Sequence, residues 1–403
     1  MQEVHPPAPF PLARVPGPAE LDPASLRAWV EEHLPPDFDP GRLPLWGCAL
    51  GRRGDGDHVL AFHLHHAIAD AWSMGVLARD LGACYAALAA GAEPELSPLP
   101  VGYGDYALWE RERLSAERVA ELGAWWEARL DGAPDARLPA RPGPAAAPAT
   151  GSIPLVLPPP LAAALREVAR GSGATLFATL LAALAVVLRR ATGEADLVVG
   201  TSVAGRERPE LAELVGCFIN LVPLRVDAGG DPPFGELVAR TGRGALESFA
   251  RQELPFEEIA AAARRVRGDA PPFRVMLVLQ SAPGAEAELA GVAVEPLPVE
   301  LPASLYELHL YFTPAADGSL VGGARHDPAA VDAATARALA ADFEVAVRAV
   351  AADPALTTER LIATLDAAAA AREDAARTTD HRMRLERLRA LARPADAPGG
   401  APQ

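Results

Sequence analysis

The sequence predicts an α+β protein built as two lobes with mixed sheets, and three observations carry that prediction. The chain has 403 residues, 50% of them apolar, enough to bury more than one core. A stretch without periodicity, DGAPDARLPARPGPAAAPATG at 131–151, interrupts it with five prolines and reads as a linker. Strand patterns then crowd together late in the chain instead of alternating with helices, which argues against a regular βαβ series. We therefore expect a first lobe at 1–130, a linker at 131–152, a second lobe at 153–365 and a tail at 366–403.

Each element has its own signal. Residues 1–20 hold many prolines and no clear periodic element. Asp22 to Leu34 reads as a short amphipathic helix. Pro44–Leu50 and Val59–His66 read as two strands joined by the polar turn GRRGDGD, a hairpin. The period then changes: Ser73, Met74, Leu77 and Leu81 recur at helical spacing in a helix running to about Ala89, with Ser73 placed to cap it. Tyr103 to Leu130 reads as one long helix carrying Trp109, Trp125 and Trp126. The second half opens with a strand at Ile153–Leu157 and helices at about 159–171 and 174–191. Strands follow at Asp196–Val203 and Phe218–Val226, then an amphipathic helix at Phe234–Gln252. Phe273–Gln280, Val292–Leu297, Leu305–Phe312 and Leu320–His326 read as strands, and Val331–Ala351 as a closing helix. The charged segment from Asp366 fits a solvated helix and ends in PADAPGGAPQ, disordered in composition.

Composition excludes several classes of function. The net charge is −16 and the pI about 5.1, which argues against nucleic acid or an anionic membrane as partner. Every one of the 37 basic residues is arginine. The 3 cysteines, Cys48, Cys84 and Cys217, are scattered and odd in number, as suits a reducing cytoplasm. The proline-rich start lacks the apolar segment of a secretory leader. The longest apolar run, Leu176–Leu188, is too short to span a bilayer and ends in Arg189-Arg190. No glycine-rich phosphate loop occurs; GDG at 54–56 and GSG at 171–173 lack the strand-to-helix context.

Chemistry concentrates in FHLHHAIADAWSMGVLARDL, 62–81. His65 and His66 sit where a strand hands over to a helix, with Asp70 four residues past His66. A histidine titrates near pH 6.5 when unperturbed and can take a proton from an attacking amine, hydroxyl or thiol. Zinc is the weaker reading. His63 and His65 fall on the opposite strand face from His66, no second ligand cluster answers them, and no cysteine sits at ligand spacing. Taken alone, the string fits hydrogen-bonded core histidines as well as a catalytic base.

The order of motifs decides. HHAIADAWS at 65–73 resembles an HHxxxDG signature, YGDYALW at 103–109 a YxDFAxW motif, and GTSVAGR at 200–206 with VGCFINLVPLR at 215–225 a stretch ending GxFVNTLxxR. RQELPFEEI at 251–259 resembles QDxPFE, and PPFRVMLVLQ at 271–280 the strand that follows it. Together they resemble the condensation domains of nonribosomal peptide synthetases, within the chloramphenicol-acetyltransferase-like superfamily, over roughly residues 1–355. The chain departs from that pattern in three places. Ala71 replaces the glycine after the aspartate, putting a Cβ where backbone freedom is expected. Ser281 replaces an asparagine. The family's opening SxxQxRLW helix and RHExLR stretch do not precede position 1, so the first lobe is expected to be incomplete.

The resemblance implies an enzyme that forms an amide between two acyl groups carried as thioesters on phosphopantetheine arms, with no cofactor bound directly. Its implied partners are donor and acceptor peptidyl carrier domains and neighbouring synthetase modules. It assigns His66 to the attacking amine, as base or as positioning group, with His65 as support. Asp70 is expected to pair with Arg206, or with Arg225 as second choice. Ser73 is expected to cap its helix, the alternative being a donor to the tetrahedral oxyanion. Trp72, Asn220, Gln252 and Ser281 are expected as supporting residues beside the passage, Asn220 and Gln252 by satisfying backbone groups. Gly205 and Gly216 read as positions fixed by backbone geometry. Two other functions share the HHxxxD string: acyl transfer from coenzyme A or a carrier to a small amine or alcohol, and non-catalytic recruitment of carrier domains.

Overall fold

The apolar residues sort onto two sheets, a small one early in the chain and a large one after residue 152. The structure, a computed structural model, describes residues 6, 12–34, 37–139, 152–280, 288–297 and 304–391. Its first part runs β1 (Leu12–Pro16), α1 (Pro23–His33), β2 (Trp46–Arg52), β3 (His58–Leu64), α2 (Ala71–Ala89), α3 (Tyr103–Arg113) and α4 (Ala116–Leu130). The second runs β4 (Ile153–Leu157), α5 (Pro159–Gly171), α6 (Leu176–Thr192), β5 (Asp196–Val203), β6 (Asn220–Asp227), α7 (Phe234–Phe249), α8 (Phe256–Arg267), β7 (Val275–Leu279), β8 (Leu308–Pro314), β9 (Leu320–His326), α9 (Ala333–Ala352) and α10 (Thr358–Leu391).

In the small sheet β2 and β3 form the expected antiparallel hairpin, from Trp46 opposite Leu64 to Arg52 opposite His58. β1 adds in parallel to β2. This strand had no period to betray it: its five residues, LARVP, end in a proline that only an edge strand tolerates. The connection back is α1, capped by Asp22 and started by Pro23, in keeping with the N-terminal preferences of both residues. Its Leu26 and Trp29 pack on Ala49 and Val59 of the sheet.

The large sheet has strand order β4-β9-β8-β7-β5-β6. β5, β7 and β8 run parallel and the remaining pairs antiparallel, the mixed pairing predicted for an α+β lobe. α6 is buried from Ala178 to Leu188, packed among α5, α7, α9 and α10. No single helix among the described residues is long and apolar enough to cross a membrane; α5 and α6 pass that test only as a pair bent by 97°.

Several boundaries differ from expectation. The long helix breaks at Leu114–Ser115, because the Ser115 side chain caps α4 by accepting from Arg118 N. α4 then gives Leu122, Trp126 and Leu130 to the core of the large sheet. Val292–Leu297 makes no strand, only a bridge between Leu289 and Val292; Pro296 removes a backbone donor there. α8 follows a motif that hid it: Pro255, acidic Glu257 and Glu258 at its start and Arg264, Arg265 and Arg267 at its end complement the helix dipole. α10 runs unbroken through residue 366, tied down by Arg190 to Asp366 at 2.7 Å and by Arg372 to Asp342. The Pro/Gly-rich end after 391 and most of the linker lie outside the described residues.

Along β8, Leu308, Leu310 and Phe312 enter the core, so His309 and Tyr311 take the other face. His309 Nδ1 lies 3.2 Å from Arg325 Nη2, between the rings of Tyr306 and Tyr311. Burial, reinforced by the Arg325 charge, pushes its pKa from 6.5 down to about 4. The unfolded chain therefore takes up a proton here that the folded chain refuses. Stability should be intact above about pH 6.5 and fall by up to about 3 kcal/mol as pH drops toward 4. Denaturant titrations at neutral and acid pH should show a shallower acid loss in His309→Gln. The remaining acid slope should include buried His326, whose pKa is also lowered by burial.

Candidate active site at the junction of the two sheets

The site is built around one buried charge. β3 ends at Leu64, so His65 and His66 lie in the turn that follows, not on the strand. The turn closes through Ile68 N donating to His65 O, and Ala67 N donating to His65 Nδ1 at 3.0 Å. His65 is thereby a structural acceptor with its proton on the other ring nitrogen. The chain next reaches Asp70, which caps α2. Its Oδ1 accepts from both Ser73 N and Ser73 Oγ at 2.8 Å. The cap expected of Ser73 thus belongs to Asp70, and Ser73 occupies the third helical position.

Across from it stands Arg206, just after β5. Its Nη2 lies 3.1 Å from Asp70 Oδ1 and 3.3 Å from Oδ2, with both side chains 1% exposed. Nη1 donates to Leu211 O at 2.6 Å and Leu214 O at 2.8 Å. The guanidinium also lies 4.1 Å over the Phe218 ring. Phe218 N donates to Asp70 Oδ2 at 3.1 Å. Ser73 Oγ lies 2.8 Å from Gly216 O and accepts from Gly216 N and Arg206 Nη2 at 3.0 Å. Every oxygen of the carboxylate has partners, as an ion buried this deeply requires. Trp72 Nε1 donates to Ala212 O at 2.8 Å, and Arg79 pairs with Glu213. α2 thereby grips the segment 206–218 along its length.

Arg225 belongs elsewhere. It forks onto Asp196 through Nη2 at 2.6 Å, across the β5–β6 ladder, with no part in holding Asp70. Ser73, saturated and fully buried, is not available as an oxyanion donor. Ser281 lies outside the described residues. Asn220 Nδ2 donates to Gln252 O and Leu254 O at 2.7 Å, fastening β6 to the turn before α8. Gln252 Nε2 donates to Glu207.

Two glycines are sterically required. Gly205 has φ +65°, and a Cβ there would lie 2.0 Å from Phe218 O. A Cβ on Gly216 would lie 2.2 Å from the Tyr103 ring, whose hydroxyl donates to Cys217 O at 2.7 Å. Ala71 is exposed at the first position of α2, and no non-glycine among the described residues has positive φ. The Cβ at position 71 therefore meets no obstacle.

His66 is exposed. Cys217 Sγ lies 3.8 Å from its Nδ1, a contact that sequence reading missed because the two are distant in the chain. Burial, with the charge of Asp70 adding to it, pushes the Cys217 thiol up, so it stays protonated at neutral pH. Cys217 also lines a cavity of about 430 Å³ with Tyr103, Tyr106, Trp109, Asn220 and Gln252. His66 is not among the wall residues. Tyr103 and Trp109 line this cavity, whereas Trp126 is core. No three His, Cys, Asp or Glu side chains converge as a metal site among the described residues.

A mixed-sheet lobe docked against a smaller hairpin sheet, with an HHxxxD turn held at their junction by a buried arginine, defines the chloramphenicol-acetyltransferase-like class of two-lobed fold. The condensation domain family model matches residues 1–371, and the chain belongs to the condensation domain family. It is 36% identical over 346 residues to a linear gramicidin synthase from Brevibacillus parabrevis, covering 80% of this chain and 4% of that synthase. It is 42% identical over 262 residues to phosphinothricin tripeptide synthetase PhsC of Streptomyces viridochromogenes, covering 64% of this chain and 24% of that synthetase. The chain thus spans 4% and 24% of the lengths of these relatives. Among solved structures, the X-domain from teicoplanin biosynthesis matches with TM-score 0.77 and 30% identity, over 89% of this chain and 82% of that one. That X-domain has also been solved in complex with OxyB.

Asp70→Asn should leave the Arg206 charge buried without its partner and cost about 3–5 kcal/mol of stability. Equilibrium denaturation will read this. A loss of activity at unchanged stability would instead give Asp70 a direct part in the chemistry.

Proposed function

We propose that this chain forms an amide between an acyl or aminoacyl thioester on a donor carrier domain and the amine of an aminoacyl acceptor on a second carrier domain. The observation that carries the reading is the Asp70–Arg206 lock, which holds the His65–His66 turn against the second lobe while leaving the His66 ring exposed. A thioester is already activated, so the protein's main task is alignment of two tethered reactants. Such alignment supplies about 7–11 kcal/mol of a barrier in well-oriented systems. No acyl-enzyme and no bound cofactor is required for it. His66 meets the reacting groups; His65 and Asp70 hold the turn. The phosphopantetheine arms come with the carrier domains, and neighbouring synthetase modules supply them.

A second reading is recruitment without catalysis. It is favoured by the likeness to an X-domain that has been solved bound to OxyB. The experiment that separates the two mixes the chain with donor-loaded and acceptor-loaded carrier domains and reads amide product by mass spectrometry. Product should form, and His66→Ala should slow it by about 10²–10³-fold, the usual scale for removing a side chain that stabilises the reacting groups in the transition state, with the fold intact by circular dichroism. Carrier binding without product from the unaltered chain would favour recruitment.

A further inference from the structure

The ring of His66 has one hydrogen-bond partner among the described residues, the thiol of Cys217 at 3.8 Å from Nδ1. Both ends of that contact are held. Cys217 lies between Gly216, whose N–H reaches Ser73 Oγ, and Phe218, whose N–H reaches Asp70 Oδ2. Its own carbonyl accepts from the Tyr103 hydroxyl. His66 is carried by the turn that His65 closes. The contact therefore joins two backbone segments fixed by the same buried ion pair.

Which ring nitrogen of a neutral histidine bears the proton is set by the hydrogen bond the other nitrogen makes. A thiol is a weak donor and a weak acceptor. The imidazole nitrogen is the stronger acceptor of the two groups, and the thiol keeps its proton because it is half-buried beside a carboxylate.

We propose that Cys217 is a positioning residue, donating to His66 Nδ1 and fixing the tautomer that carries its proton on Nε2. This rests on the reading of His66 as the group that meets the substrate. It assigns the kind of contact: His66 presents an N–H, and so donates a hydrogen bond to the thioester carbonyl oxygen as that oxygen becomes anionic. It does not remove the amine's proton through that nitrogen. The bond accounting closes without a base on the protein. The acceptor nitrogen bonds to the carbonyl carbon, the carbon–sulfur bond breaks, and the proton shed by nitrogen ends on the departing pantetheine thiolate.

The test is ¹⁵N-histidine NMR of the full chain at neutral pH, with the His66 signals assigned by their loss in His66→Ala. The unaltered protein should show the Nε2–H tautomer. Cys217→Ala should shift the ring toward a mixture and slow amide formation about three- to tenfold, the scale of one weak hydrogen bond. Cys217→Ser, which keeps a donor, should restore the tautomer and part of the rate. A proton on Nδ1 in the unaltered protein, or a ring indifferent to Cys217→Ala, would overturn the proposal. So would an acyl adduct on Cys217 by intact mass, since the thiol would then be a nucleophile. Undiminished turnover of His66→Ala would instead remove the reading beneath it. The two failures are distinguishable because the tautomer is read without turnover.

Discussion

The pair Asp70–Arg206 is the constraint on which the site depends. Two ions 1% exposed pay a desolvation penalty of several kcal/mol each, and their attraction alone does not guarantee a net gain. What makes the arrangement workable is that the carboxylate also accepts from Ser73 N, Ser73 Oγ and Phe218 N, while the guanidinium also serves two backbone carbonyls. Arginine suits this position, since its planar fork serves several acceptors at once where an ammonium is a compact point charge. Asp70 is also the N-cap of α2, so the same charge starts a helix and closes the junction between the sheets. His66 lies four residues before it and Cys217 one residue before Phe218, so the imidazole–thiol contact inherits its geometry from this lock.

The motifs that are separate in the chain are neighbours in space for the same reason. HHAIAD supplies the carboxylate and GTSVAGR the guanidinium. VGCFIN supplies the peptide N–H groups and the thiol. YGDYALW places Tyr103 against Gly216 and the Tyr103 hydroxyl on Cys217 O. The turn of RQELPFE is fastened by Asn220 through two backbone carbonyls. Close contact at Gly205 and Gly216 lets the segment 205–218 thread between α2, α3 and the large sheet; a methyl group at either position would collide with backbone or ring.

Sequence alone made much of this legible, and its failures have physical causes. Strands with alternating or continuous apolar residues, such as Asp196–Val203 and Leu320–His326, coincide with β5 and β9 because burial on one or both faces writes itself into the pattern. β1 was invisible, being a short edge strand ending in proline. The break between α3 and α4 was hidden because the apolar spacing continues across it; Ser115 was the signal. At the site, the family motifs pointed to His66, Asp70 and Arg206, but a motif carries no distances. It cannot say that Arg225 turns to Asp196, or that Cys217 inside VGCFIN touches the imidazole. Such long-range pairings are written in the topology: β5 and β6 are antiparallel neighbours, which sends Arg225 to the far end of the ladder from the loop that carries Arg206.

The alanine at position 71 shows which part of the HHxxxDG pattern carries mechanical weight here. A glycine is needed where φ is positive or where another atom stands in the place of a Cβ. Ala71 meets neither condition: it begins α2, its side chain is exposed, and its backbone is ordinary. Alanine is also the better helix former by roughly 1 kcal/mol in a helix interior, and less at an end. The departure at 71 therefore leaves the lock untouched. The positions that tolerate no such change are the ones flanking the partner segment, Gly205 and Gly216, together with Asp70 itself, whose removal would strand the buried charge of Arg206.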